Sequence, residues 1–507
     1  MTRKHRTNRL KIRSWVSIMP CSRNHVPSAQ ASMLVFNSTI MKKFLITLLI
    51  PVLLFNSCTK VLDQVPQDKI TEENFYKTPA DAEAAATGIY DAVQALSTQY
   101  PVAFDAASDL ANALLINYSP FSQHGITVDN AIVASYWQNN YTGIGRCNDV
   151  LKNVPNIDGG LFAAGQKERI LAEAYFTRAY FYFNLVKAYG GVPLVTTPYD
   201  SFNADFTIAR STSDQVFAQI VADLKNAEPN LPLSYASSID TRGRATQGGV
   251  KALLAKVYLS MKDYNNAAAK ALEVMNNTTY SLVSGASAYS AMFSASSKNS
   301  NESIFEIQYV SSSSESNGLF SLYVPTPAPS GIQGGSYQIV PTDKIINAFE
   351  AGDIRKNVSV SNSPATPPVP YVGKYLRLTN GTDPNIIAIR LADIILVRAE
   401  ALNNLGQTAE ATEALNMIRR RAFGLPVTTA SVRDFPSAND VANSYNLTQA
   451  IENERMKELC FEGQRFYDLV RTGRATAVLG ISANQMLWPI PLREVGRNPK
   501  LQQNPGY

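Results

Sequence analysis

Histidine is almost missing from this chain. Of 507 residues only three are histidine, and His5 and His25 lie near the N-terminus, which leaves His124 alone in the body. That scarcity excludes multi-histidine metal sites, and any Ser-His or Cys-His pair would have to use His124. Cysteine is scarce too. Cys21, Cys58, Cys147 and Cys460 form no CxxC pair, which excludes a disulfide scaffold and a zinc module. No GxSxG, HExxH, Walker A or EF-hand pattern occurs, and Gly143-Ile-Gly145 lacks the third glycine of a nucleotide loop and follows helical periodicity. Acidic residues are absent from residues 1–57, which hold nine Lys/Arg; the remainder has 37 basic against 41 acidic residues. A mildly acidic body argues against nucleic acid as a partner. With 45% apolar and 17% charged residues the chain is globular.

The N-terminus reads as an address. From Met41 the sequence is MKKFLITLLIPVLLFNSC. Lys42 and Lys43 form a basic n-region, and the apolar run over 44–55 is twelve residues long. That is short of the about 20 residues a membrane span needs and fits a signal-peptide h-region. Ser57 precedes Cys58 directly, so residues 41–57 resemble a bacterial lipoprotein signal cleaved before Cys58, whose thiol and new amino group take acyl chains such as palmitate. Residues 1–40 fit no signal architecture and read as an extension upstream of the true start at Met41. Residues 58–77 form a polar tether.

Helical periodicity dominates the body. Thr78-Pro79 predicts an N-cap with proline at the first helical position. Further helices are expected over about 130–153, about 166–189, ended by Gly190-Gly191, and about 448–472. Two stretches look like copies of one unit: Ala255, Tyr258, Ala267 and Ala271 align with Ala399, Leu402, Ala411 and Leu415 at a displacement of 144. A small residue, a large one three later, a short turn and further residues four apart describe a tetratricopeptide-type pair of antiparallel helices. Between the copies, residues 284–340 are rich in Ser, Gly and Pro and read as loops, with a short strand over 304–310. Trp137 and Trp488 read as core, as does the aromatic run 175–183. Cys147 and Cys460 read as buried free thiols, a mutual disulfide being the alternative.

Chemistry-bearing residues are few. Glu454, Glu458 and Glu462 recur every fourth residue and are expected on one helix face, ion-paired with Arg455, Arg465 and Arg471. Carboxylates on one helix point the same way and cannot flank a glycosidic bond, so no catalytic residues are assigned and a glycan-processing hydrolase is the runner-up. Sugar capture needs aromatic faces, which loop placement offers at Tyr118, Phe121, Tyr309, Phe320, Tyr323 and Tyr337. For each of the six, local packing is the competing reading. No cofactor or metal is implied.

Five segments in order carry a family resemblance: NLVKAYGGVPL (184–194), IRLADIILVRAEALNNLG (389–406), ALNMIRRRA (414–422), ENERMKELCFEGQRFYDLVRTG (452–473) and LWPIPLREVGRNPKLQQNPGY (487–507). Together behind a lipoprotein signal they resemble the SusD/RagB family of outer-membrane nutrient-binding lipoproteins, across essentially 58–507. The resemblance implies a mostly α fold: a tetratricopeptide-type scaffold with a loop-rich ligand-facing region and minor short strands, in an N-terminal region (78–283) and a C-terminal one (284–507). It further implies a non-enzymatic lipoprotein, anchored outside the outer membrane, that passes oligosaccharide, or in some members peptide, to a SusC-like TonB-dependent transporter.

Overall fold

The structure, a computed structural model, describes residues 75–507 apart from 98, 115, 199–205 and 311–314. The signal sequence, Cys58 and most of the tether lie outside the described residues. Eleven helices carry the argument below. They are α1 (Pro79–Gln94), α2 (Gln99–Ala106), α3 (Ala131–Asn153), α4 (Gln166–Tyr189), α5 (Ser213–Ala227), α6 (Gln247–Ser260), α7 (Tyr264–Met275), α8 (Leu391–Asn404), α9 (Thr408–Ala422), α10 (Leu447–Glu458) and α11 (Arg465–Arg471). Three two-stranded antiparallel sheets accompany them: β1 (Ala111–Ala113) with β3 (Ile339–Pro341), β2 (Ser303–Ile307) with β6 (Ile386–Arg390), and β4 (Val360–Asn362) with β5 (Pro370–Val372).

The start signals act as their chemistry predicts. Thr78 caps α1 in a reciprocal box: its hydroxyl accepts from the Asp81 amide at 3.3 Å, and the Asp81 carboxylate accepts from the Thr78 amide at 2.8 Å. Asn130 caps α3 by accepting from the Ile132 and Val133 amides. In α3, Gly143 serves packing and not phosphate: a Cβ there would lie 2.2 Å from the Phe181 ring of α4. Helices then stack in order, α3 on α1 and α4, α5 between α4 and α6, α7 on α6.

The displaced repeat becomes a neighbour in space. α7 packs directly on α8, so the pairs α6–α7 and α8–α9 stand side by side although residues 276–390 separate them along the chain. All eight aligned positions are buried. The turns match bond for bond: the Asp263 amide donates to Tyr258 O and the Gln407 amide to Leu402 O, both at 2.9 Å. At the equivalent left-handed position one copy has Gly406 (φ 75°) and the other Lys262 (φ 61°). The intervening insertion is closed at its root by β2 and β6.

The helix expected over 448–472 is two helices. α10 ends at Glu458, and α11 begins at Arg465. Phe461 (φ 61°) and Gly463 (φ 68°) turn the chain between them. Cations on the insertion and on β6 terminate α10 by taking its last carbonyls: Lys374 Nζ donates to Glu458 O at 3.2 Å and Cys460 O at 2.9 Å, and Arg390 donates to Glu458 O at 2.7 Å.

The partners of the glutamate trio also differ from expectation. Glu454 and Glu458 are fully buried, the side chain of Glu462 is 5% exposed, and the three meet none of Arg455, Arg465 and Arg471. Arg355 bridges Glu454 at 2.6 Å and Glu458 at 2.9 Å, and pairs with Asp353 at 2.7 Å. Glu458 also takes Arg390 and Arg421. Glu462 takes Lys374 at 2.7 Å and Arg390 at 2.8 Å. The expected partners are used elsewhere: Arg455 by Asp393 and Asp468, Arg465 by Asp109, Arg471 by Glu400. Short-range spacing located the ion pairs but not the distant arginines that fold back onto them. Cys147 and Cys460 are buried free thiols.

Two measurements check this account. Lys262→Gly removes a side chain from a left-handed position and raises stability by roughly 0.5–1 kcal/mol in denaturant titration, the relief of steric cost exceeding the added chain entropy. Burial opposes the charge on Glu454, but Arg355, Lys457 and Arg419 outweigh it and hold its carboxyl at about 2, against an ordinary 4.5. A depressed carboxyl contributes stability above its unfolded value and loses it as pH falls through the folded one. Glu454→Gln therefore costs about 3 kcal/mol at neutral pH. The Tm values of variant and parent converge as pH drops from about 4.5 toward 2.

Candidate functional site

The loop-rich insertion and the loop after α2 meet through β1 and β3. Ala111 pairs with Pro341 and Ala113 with Ile339, and the Leu114 amide donates to Gln338 O at 2.7 Å. This pairing brings residues 111–124 alongside 316–340, so five of the six aromatic residues singled out above gather around one face. Within it, Phe320, Val324 and Tyr371 form a small core of their own, flanked by Ile332, Tyr337 and Leu376. A backbone bridge between Ile332 and Leu378, with the Gln333 amide on Arg377 O at 2.9 Å, lays the loop over the 370–378 segment.

Most of the six rings are turned inward. Phe121 is fully buried, edge-on to Trp488 at 5.1 Å. Tyr118 and Tyr323 are buried, Tyr323 facing Phe461 at 6.4 Å. Phe320 is buried under the Arg377 guanidinium at 5.3 Å. Tyr309 lies apart from the group, its hydroxyl on Ser97 and on Gln94 O. Burial pushes the hydroxyls of Tyr118 and Tyr309 up to about 12, so both stay neutral donors. Tyr337 alone of the six is half-exposed; it sits at φ 49° with its hydroxyl donating to Pro370 O at 2.6 Å, which fixes the ring direction.

Leu114 (62% exposed) and Ile116 (81% exposed) stand out on the same loop. Sequence reading passed over them, although the aliphatic run Leu114-Leu115-Ile116 between Asn112 and Asn117 was the available signal. The face thus offers one oriented phenol ring, two aliphatic side chains and the Arg377 guanidinium. That set can hold the apolar face of a sugar ring and donate to its hydroxyls. A second space, a groove of about 960 Å³, runs past Trp137, Gln138, Tyr141 and Asn498 at the other side of α3. Trp137 and Trp488 are both buried. No helix of the described residues is long and apolar enough to cross a membrane.

Comparison with known proteins fits this architecture. Residues 60–259 match a family described as starch-binding, associating with the outer membrane, and residues 374–485 match the SusD family. The chain belongs to the SusD/RagB family. Two SusD-like proteins of Formosa agariphila are each 28% identical, covering 92% of this chain and 100% of the relative. Among solved structures, a laminarin-binding SusD-like protein matches with TM-score 0.73 at 28% identity, over 85% of this chain and all of its own. Surface glycan-binding protein A from Bacteroides fluxus matches with TM-score 0.72 at 25% identity, over the same shares. Carbohydrate capture at the outer membrane is the role found at the level of this family.

Two substitutions separate packing from binding on this face. Phe121→Ala empties a site beside Trp488 and costs about 3–5 kcal/mol in thermal unfolding. Tyr337→Ala leaves Tm within a few degrees but weakens saccharide binding at least about tenfold by calorimetry, whereas Tyr337→Phe keeps the ring and most of the affinity.

Proposed function

We propose that the protein is a cell-surface lipoprotein that captures an oligosaccharide outside the outer membrane and delivers it to a SusC-like TonB-dependent transporter. It does no chemistry on the sugar. The observation that carries this reading is the likeness to the laminarin-binding SusD-like protein, spanning the whole of that chain. Cys58 supplies the anchor by acylation. Capture takes place on the loop-rich face, with Tyr337 stacking on a ring and Arg377 donating to hydroxyls. Tyr118, Phe121, Tyr309, Phe320 and Tyr323 support that face from behind. Binding in place of hydrolysis is further supported by the carboxylates of the C-terminal helices: Glu454, Glu458 and Glu462 are each committed to buried cations and are unavailable to flank a glycosidic bond.

Isothermal titration of the purified protein against laminarin oligosaccharides, α-glucan oligosaccharides and peptides tests this, with chromatography of the ligand afterwards. Saturable binding of one saccharide class with unchanged ligand length is the expected result. Shortened ligand replaces capture with hydrolysis, and binding of peptides alone moves the protein to the peptide-capturing members of the family.

A further inference from the structure

Where the α6–α7 turn meets the end of α8, α10 and α11, a cavity of about 210 Å³ opens. Its walls are ionic and tied to one another. Arg471 forks onto both oxygens of Glu400 and reaches Asp468 at 2.7 Å, and Asp468 also takes Arg455 at 3.1 Å. Glu452 lies 3.4 Å from Arg465 and 3.4 Å from Arg474. With Lys262, five cationic side chains line the cavity against the three carboxylates of Glu400, Glu452 and Asp468, an excess of two positive charges. Behind the wall Asp393 and Asp109 hold Arg455 and Arg465, but each also takes a lysine, Lys256 and Lys344 respectively, so the excess stands.

The unspent hydrogen-bonding capacity has the same sign. Lys262 is exposed in the α6–α7 turn, and its ammonium has no ion pair or hydrogen bond among the described residues. Its neighbour Asp263 is engaged in capping α7 through the Asn266 amide. Arg474, 42% exposed, has Glu452 as its one ionic partner among the described residues, and its guanidinium donates no hydrogen bond there. The hydroxyl of half-buried Tyr264 is also without a partner among them. The acceptors Glu400 and Asp468 are filled by arginine, so what the cavity has left to offer a ligand is donors and positive charge. Lys262 adds a second sign. It holds φ 61°, where the other copy of the helix pair has Gly406 at φ 75°. Keeping a long cation where glycine is the relaxed choice costs stability, and such costs collect at binding sites.

We propose that this cavity binds an anionic ligand about the size of one sugar ring, with Lys262 and Arg474 as its counter-charges and the Tyr264 hydroxyl as a further donor. The space equals roughly seven waters of liquid volume, enough for a single sugar acid or sulfated sugar and too little for a disaccharide. Carboxylate and sulfate ester share the required chemistry. The inference goes beyond capture on the loop-rich face and uses none of its residues.

Isothermal titration of the full protein with glucuronate, glucose 6-sulfate and glucose at constant ionic strength tests it. The Tyr337→Ala substitution is present throughout, so that capture on the loop-rich face does not contribute. Saturable binding of at least one of the two anions, with glucose silent at the same concentration, is the expected result, and the tighter anion identifies the charged group. Lys262→Gly and Arg474→Gln each weaken that binding at least about tenfold. Lys262→Gly at the same time raises the denaturant midpoint, so damage to the fold does not account for its weaker binding. Silence of both anions, glucose binding as tightly as they do, or affinity unchanged in Lys262→Gly and Arg474→Gln overturns the proposal.

Discussion

The Glu458 carboxylate is the point on which the C-terminal half is assembled. It is fully buried at the end of α10, and three guanidiniums reach it: Arg355 from the insertion, Arg390 from the end of β6 and Arg421 from the last turn of α9. Each arginine carries a second link. Arg355 goes on to Glu454 and Asp353, Arg390 to Glu302 and Glu462, and Arg421 lies 4.6 Å over the Tyr289 ring. Removing one member leaves a buried charge uncompensated, which costs several kcal/mol, whereas a fully apolar replacement can be neutral. The network is therefore better understood as a device for register than as a source of stability. It closes only when insertion, β6, α9 and α10 are all in place, because each of them supplies a member of the cluster around Glu458.

That constraint explains how a helical-repeat scaffold tolerates a long interruption. The pairs α6–α7 and α8–α9 pack as though consecutive, and small residues on both, Ala267, Ala271, Ala399 and Ala411, permit the close approach. Packing of such uniform alanine surfaces specifies position weakly along the helix axis. The β2–β6 pair at the root of the insertion fixes where α8 begins, since Arg390, the last residue of β6, immediately precedes it and is itself locked into the charge network.

What was legible in the sequence followed from local rules. Capping at Thr78 and Asn130, the 166–189 helix and the helix–turn–helix within each copy of the repeat are all set by residues within a few positions of one another. The family could be read from motifs because the scaffold segments are long and ordered along the chain. The misreadings share one cause. The 448–472 periodicity persists through the break because Glu462 still faces the same cluster as Glu458 after the chain has turned at Phe461 and Gly463. Arginines 37 to 103 residues away, invisible to i,i+4 reasoning, supply the partners. Aromatic residues in loops were legible as a group but not in direction, because whether a ring faces in or out depends on the β1–β3 pairing and on the small core around Phe320.

The same architecture bears on recognition. The insertion contains little regular structure, yet it is tied at its root by β2–β6, to the N-terminal loops by β1–β3, and to α10 by Arg355 and Lys374. Loops held at three separated points lose little further freedom when a ligand arrives, so the ordering cost that weakens binding by mobile loops is met largely on folding. Rings buried beneath the face contribute to this rigidity even where they touch no ligand. On the proposed capture face, affinity is set by the exposed Leu114 and Ile116 and the partly buried Tyr337 and Arg377, and a change of saccharide specificity on that reading needs changes only there, with the charge network and helix pairs untouched.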